Sequence, residues 1–385
     1  MRSFEFQVPR RIRFGAGLAA RPPAEIGALL GPRVLLVTDS GVHRLGLADP
    51  LVAALRNAGA EVAIFSDVLP EPPDRSVHEA VAIASGMRAT GVIGFGGGSA
   101  MDVAKLAALI AGSGEALDAI YGVELAKGPR LPLLLVPTTA GTGSEATPVA
   151  ILTAGGAKKG VSSQLLIPDI ALLDPDLTLG LPPAITAATG LDAMIHAIEA
   201  HSSASPNANP ISRGLAREAL RLLGAHLGHA VANGSDGAAR GAMLLGSCMA
   251  GQAFGNAPVA AVHALAYPVG ARFHVPRGVS TTLMLCAVMR FNQPACAADY
   301  AEIATDISPD LIDTPLPQRA AALIDALHRL ARSVNLPTTL REIGVSDSDL
   351  SQMADAAMLQ TRLLVNNPRP VTREDALAIY RDALG

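Results

Sequence analysis

From its N-terminus to Leu181-Pro182-Pro183 the chain alternates short apolar runs with alanine-rich helical stretches; beyond that point strand-like runs nearly vanish. Val34-Leu35-Leu36-Val37-Thr38, Glu61-Val62-Ala63-Ile64-Phe65, Gly91-Val92-Ile93-Gly94-Phe95 and Leu133-Leu134-Leu135-Val136 read as buried strands, with helical patterns such as 77–85 between them. Strand–helix alternation implies parallel pairing with helices on the faces of the sheet. The later segments 184–200, 211–232, 241–253, 260–266, 279–289 and 318–334 carry helical periodicity, and two more helices begin near 346 and 372. At Thr372-Arg373-Glu374-Asp375 the start is close to a capping box, with Asp in place of Glu or Gln. A chain of 385 residues exceeds one ordinary core. The expected architecture is therefore an α/β domain with a parallel sheet over 1–182, followed by an all-α domain over 183–385.

Composition narrows the partners. Only 17% of residues are charged and the net charge is −4, which gives no reason to expect nucleic acid or an anionic membrane. Aromatic residues are 3% of the chain, with no Trp, too few for base-stacking platforms. The stretch 241–271 lacks Asp, Glu, Lys and Arg, but Gly251, Gly255, Asn256, Pro258 and Pro268 interrupt it. It reads as a broken pair of buried helices rather than a bilayer span. Met1-Arg2-Ser3-Phe4-Glu5 has no signal-peptide character, and Cys248, Cys286 and Cys296 form no CxxC pair. Reduced thiols in a cytoplasmic enzyme are expected.

Two loops are candidates for nucleotide chemistry. Gly96-Gly97-Gly98-Ser99 follows a strand and opens the helix at 100–111. Its glycines let a diphosphate approach the backbone, where a helix N-terminus offers unpaired N–H groups. Ser99 is placed to cap that helix, with Asp102 as its partner; an ordinary glycine turn is the plain alternative. Asp39, at the end of the first of these strands, suits ribose hydroxyls and repels a 2′-phosphate, favouring NAD. The usual fingerprint places glycines first and the acid about 20 residues later; here the acid precedes them, so the topology differs. The polar stretch Pro137-Thr138-Thr139-Ala140-Gly141-Thr142-Gly143-Ser144-Glu145-Ala146-Thr147 again follows a strand. It can line a cleft or be a simple turn.

In the helical half, Asp192 and His196 lie one turn apart, and Glu199 continues their face. With His263, from the uncharged stretch, they make a cup for a divalent metal, or else a set of buried structural groups.

These residues resemble the iron-containing (group III) alcohol dehydrogenases of the dehydroquinate synthase-like superfamily. The likeness runs through Phe95–Lys105, Pro137–Glu145, Asp174-Pro175-Asp176-Leu177-Thr178, Gly190–Ala200, His263-Ala264-Leu265-Ala266-Tyr267-Pro268 and Asn367-Pro368-Arg369-Pro370-Val371-Thr372. It implies an NAD(P)-dependent oxidoreductase with an N-terminal dinucleotide domain, a helical metal domain and a homodimer or larger homo-oligomer. It carries cofactor contacts onto Asp39, Gly97, Gly98, Ser99, Asp102, Thr138, Thr139, Thr142, Thr147 and Lys158, and metal ligands (Fe or Zn) onto Asp192, His196 and His263. The family's fourth ligand does not carry over: where relatives have Pro-His-Gly, this chain has Pro276-Arg277-Gly278. A guanidinium cannot ligate a cation. His274, three residues earlier, is a substitute ligand only if it turns inward, and Tyr267 stands at a position linked to proton relay.

The resemblance thus implies reversible, NAD-linked interconversion of an alcohol with an aldehyde or ketone. A cation, either a bound metal or Arg277, would polarise the carbonyl. Two other readings accompany it: a maleylacetate-reductase-like enzyme, in which Arg277 pairs with a substrate carboxylate, and an inactive cofactor-binding relative.

Overall fold

The four apolar runs form adjacent strands of one parallel sheet in a computed structural model of the protein, which describes residues 3–155 and 157–385. Nine strands are described: β1 (Arg11–Phe14), β2 (Arg33–Asp39), β3 (Glu61–Val68), β4 (Gly91–Gly96), β5 (Gly122–Val123), β6 (Leu133–Pro137), β7 (Val149–Ala154), β8 (Ala157–Ser162) and β9 (Ile170–Leu173). The main sheet runs β1-β9-β6-β4-β2-β3, parallel throughout. Successive side chains on a strand point to opposite faces. Leu35 and Val37 accordingly join one core with Val92, Leu133 and Leu135, while Val34 and Leu36 join another with Ile93, Leu134 and Val136. Each fully buried Val or Leu contributes about 1.5–3 kcal/mol, so both faces must be covered. The helix Gly98–Ser113 covers the first through Met101, Ala104 and Leu106.

The strand order reverses beside β2. The chain passes outward from β2 to β3, then crosses back to place β4 on the other side of β2. In open parallel sheets a crevice opens at such a reversal, outside the carboxyl ends of the strands. Here those ends are Asp39 and Gly96.

Not every pairing is parallel. β7 and β8 form an antiparallel hairpin in a separate three-stranded sheet with β5, because the chain turns directly at Gly155 (φ +61°) with no crossover helix.

Gln7–Leu179 forms one compact unit; Gly180–Gly385, together with the N-terminal segment through Phe6, forms the other. That segment is tied by the Glu5 amide, which donates to Asn207 Oδ1 at 2.8 Å. In the second unit the helix Pro183–Ser202 is buried nearly all round. Pro210–Ala232, Gly237–Asn256 and Arg277–Ile307 pack against it. Its approach to the last is very close: a Cβ on Gly278 would lie 2.3 Å from the Ala188 carbonyl oxygen, so only glycine fits there.

The uncharged stretch is shared between Gly237–Asn256 and Ala261–Phe273, and among the described residues no helix is long and apolar enough to cross a membrane. Two helices outrun their sequence pattern. The one expected over 260–266 continues through Pro268 to Phe273, and the one expected over 279–289 reaches Ile307. The latter absorbs Pro294 in a kink at Cys296 (φ −137°, ψ 31°) rather than ending there. The Thr372 capping box forms with Asp375 as expected.

Candidate active site

At the reversal point Gly96 has φ +148°, a conformation that L side chains rarely adopt, and Gly97 is the N-cap of the helix Gly98–Ser113. Asp39 faces this turn: a Cβ on Gly96 would lie 3.3 Å from Asp39 Oδ2. The other carboxylate oxygen, Oδ1, accepts from the Gly41 and Val42 amides at 2.9 Å, capping the short helix Ser40–Arg44. A cavity of about 370 Å³ opens beside it, lined by Ser40, Asp67, Val68, Arg75, Ser76 and Glu79.

The threonine loop closes onto the same turn. β4 and β6 are neighbours, and the Thr138 amide donates to the Gly96 carbonyl at 3.0 Å. Gly98 lies so close to Thr142 that a Cβ would meet its Cγ2 at 2.8 Å, whereas one on Gly97 would meet Thr139 only at 3.7 Å. The structure therefore brings Asp39, Gly97, Gly98, Thr138, Thr139 and Thr142 together at the carboxyl ends of the neighbouring strands β2, β4 and β6.

Asp102 behaves differently from expectation. The helix Gly98–Ser113 has no side-chain cap, and Asp102 is not a capping partner of Ser99. Its Oδ1 accepts from the Ser144 hydroxyl at 2.6 Å and its Oδ2 from the Ile151 amide at 3.0 Å. These donors outcompete the local cap because they would otherwise be left unpaired inside the unit. Lys105, unflagged by the sequence, completes the arrangement. Wholly buried, it donates to the Thr147 carbonyl, the Thr147 hydroxyl and the Val149 carbonyl at 2.9–3.1 Å. Burial pulls its pKa down to about 8 against the opposing pull of Asp102 and Glu145. Thr147 is thus engaged by Lys105. Lys158 bonds the Thr153 hydroxyl at 2.9 Å and pairs with Glu71 at 3.1 Å.

In the helical unit Asp192, His196 and His263 come together, all buried, with one ligand atom from each within 4.8 Å of the others. The first two share a face of Pro183–Ser202, and the third opens the helix Ala261–Phe273. His196 stacks between Phe254 (4.5 Å between ring centroids) and His263 (4.7 Å). His263 Nδ1 lies 2.6 Å from Glu199 Oε2, while Glu199 Oε1 accepts from the Val262 amide at 2.7 Å. The other ring nitrogen, Nε2, is buried with no hydrogen-bond partner, 3.9 Å from Asp192 Oδ1.

Asp192 accepts from the Thr281 hydroxyl on Oδ1 (2.9 Å) and from Arg277 Nε on Oδ2 (3.3 Å). Burial pushes its pKa up, but His196, Arg277, His263 and the Thr281 hydroxyl outweigh burial and hold the carboxyl below the ordinary aspartate range. Thr281 was missed in the sequence; its one signal is the i+4 spacing from Arg277. Tyr267 lies one turn beyond His263, partly buried. His274 is exposed in a left-handed conformation (φ 54°) at the end of the same helix and is outside the ligand cluster.

The three residues offer donor types suited to a divalent ion, with ligand atoms within 4.8 Å of one another. Tetrahedral metal–ligand bonds of about 2.0–2.2 Å set donor atoms about 3.4 Å apart, so His263 Nε2 and Asp192 Oδ1, now 3.9 Å apart, would close by about half an ångström to share an ion. An unpartnered imidazole nitrogen beside a buried carboxylate is a donor pair that a cation would satisfy.

Comparison with known proteins agrees with both halves. The family model described as "Iron-containing alcohol dehydrogenase" matches residues 9–175, and that of the "Fe-containing alcohol dehydrogenase family, C-terminal" matches residues 186–384. A long-chain-alcohol dehydrogenase of Geobacillus thermodenitrificans is 40% identical over 93% of this chain and 91% of its own. The crystal structure of a 1,3-propanediol oxidoreductase superposes with a TM-score of 0.95 at 35% identity, covering 100% of both chains. That of the sulfoacetaldehyde reductase from Bifidobacterium kashiwanohense in complex with NAD+ does so at 0.87 and 30% identity, covering 99% of this chain and 98% of that one.

Proposed function

The chain belongs to the iron-containing alcohol dehydrogenase family and is an oxidoreductase interconverting alcohols with aldehydes or ketones; on that premise we propose that it uses NAD(H) and a divalent metal, Fe or Zn, held by Asp192, His196 and His263. The observation that carries this reading is the pairing of a glycine-turn crevice beside Asp39 with a buried three-ligand cluster.

A nicotinamide cofactor, when bound, would supply or receive the hydride. Gly97, Gly98 and Ser99 present helix N-terminal amides to its diphosphate. Asp39 Oδ2 would meet the ribose, and Thr138, Thr139 and Thr142, beside the same turn, would contact the cofactor. Asp102, Lys105 and Thr147 hold that loop in place. A metal held by Asp192, His196 and His263 would supply Lewis acidity at the carbonyl oxygen. Arg277, with its side chain 38% exposed, adds a fixed positive charge that favours a developing alkoxide and at the same time opposes a divalent ion. Solvent or Tyr267 would complete the proton transfer to or from the substrate oxygen. The three cysteines are free thiols, which supports a cytoplasmic enzyme, and the family's habit supports a homodimer or a multiple of it.

NADH oxidation on addition of short- and long-chain aldehydes, with an oxo acid for comparison, tests the activity. Turnover of the aldehydes supports it, and no oxidation with any aldehyde or ketone would end it. Cofactor choice is testable separately. Asp39→Asn keeps the cap on Gly41 and Val42 but removes the charge, so the ratio of kcat/KM for NADH over NADPH should fall about tenfold. An unchanged ratio would remove Asp39 from that role.

Protein purified without chelators should hold well under one equivalent of Fe or Zn, because Arg277 opposes the ion. Arg277→His replaces that charge with a neutral donor and should raise Zn²⁺ affinity at least about tenfold, equivalent to about 1.4 kcal/mol. Calorimetric titration of the metal-free proteins measures this, and equal or weaker binding by the variant would contradict it.

A further inference from the structure

Glu199 uses both carboxylate oxygens on the residue pair that opens the helix Ala261–Phe273. Oε1 takes the Val262 amide at 2.7 Å and Oε2 meets His263 Nδ1 at 2.6 Å. That helix has no side-chain cap of its own, so a carboxylate from the helix Pro183–Ser202 serves its N-terminus from outside. An ionised carboxylate only accepts hydrogen bonds. The proton of a neutral His263 ring is therefore drawn to Nδ1, leaving the lone pair on Nε2, the buried nitrogen that faces Asp192 Oδ1 at 3.9 Å.

We propose that Glu199 is a positioning residue that locks His263 in the Nδ1–H tautomer and so keeps Nε2 open to a divalent cation. The proposal rests on the metal reading above only for what the open nitrogen is for. A simple helix cap needs one oxygen on the Val262 amide. The second oxygen, on the ring nitrogen, is what makes Glu199 more than a cap. One helix then carries two ligands, Asp192 and His196, and also the group that aims the third. Carboxylate–histidine–metal relays of this kind orient the ring and raise the ligand's basicity.

Glu199→Gln separates the roles with little change of shape. The carboxamide has one acceptor oxygen but faces two donors, the Val262 N–H and the His263 Nδ1–H. If its oxygen keeps the Val262 amide, its NH₂ is turned on Nδ1 and draws the proton to Nε2, which can then no longer ligate.

Two measurements on the full chain test this. The first titrates metal-free wild type and Glu199→Gln with Zn²⁺ against a chromophoric chelator, with thermal melting of both. Zn²⁺ affinity is expected to fall about 10–100-fold in the variant. A folded variant with lowered melting temperature and unchanged Zn²⁺ affinity would overturn the proposal and leave Glu199 as a cap. The second observes ¹⁵N-histidine resonances of metal-free wild type at a pH where the ring is neutral, and so does not depend on the variant folding. The expected spectrum has His263 protonated at Nδ1; protonation at Nε2 would overturn the lock. If wild type binds no Zn²⁺ at all, the metal reading falls while this spectrum still decides whether Glu199 sets the tautomer.

Discussion

Gly97→Val is expected to weaken NADH binding by about tenfold to a hundredfold while leaving the α/β unit folded. Gly97 adopts φ −75°, which any residue tolerates, and a Cβ there would meet the protein only at Thr139, at an ordinary 3.7 Å. The space that a Cβ would fill is therefore not needed by the protein's own packing. It lies at the mouth of the helix N-terminus, where the diphosphate of the cofactor would rest. Forcing side-chain atoms into a filled contact costs typically about 1–3 kcal/mol, which sets the expected range. Gly98 would be a poorer probe, because its Cβ would strike Thr142 at 2.8 Å and disturb the loop itself. Fluorescence titration with NADH alongside circular dichroism checks the prediction. Unchanged affinity in a folded variant would reduce the glycine motif to a turn.

Local patterns made much of this legible. The buried strands of a parallel sheet are continuous apolar runs, and β2, β4 and β6 were visible for that reason. β3 was visible too, but it is not the buried strand expected: it is the sheet's edge and is only partly buried. The spacing of Asp192, His196 and Glu199 placed them on one helical face before any partner was known. What could not be read were features decided far along the chain. β1 is a short edge strand, Arg-Ile-Arg-Phe, whose pairing with β9 has no local signature. Asp102 looked like a cap partner because its true donors, Ser144 and Ile151, lie on segments that only the fold brings near. Lys105 read as part of a motif rather than as a buried ammonium whose acceptors come from Thr147 and Val149. At the cluster, Arg277 was identified from sequence as a departure from the family pattern. That it binds Asp192, with Thr281 on the carboxylate's other oxygen, depends on the close helix crossing at Gly278.

Under the proposed function the carbonyl would be activated at a three-ligand centre, with Arg277 beside it as a tuning charge rather than as the electrophile. Removing the metal should therefore have the largest effect of all. Stripping the protein with a chelator, dialysing, and following NADH oxidation with an aldehyde before and after adding Fe²⁺ or Zn²⁺ measures it directly. A Lewis acid supplies several kcal/mol of transition-state stabilisation, so the stripped protein should turn over at least about a hundredfold more slowly, equivalent to about 2.7 kcal/mol, and recover when either ion is restored. Full turnover by protein shown to be metal-free would contradict the account and assign the electrophile to Arg277.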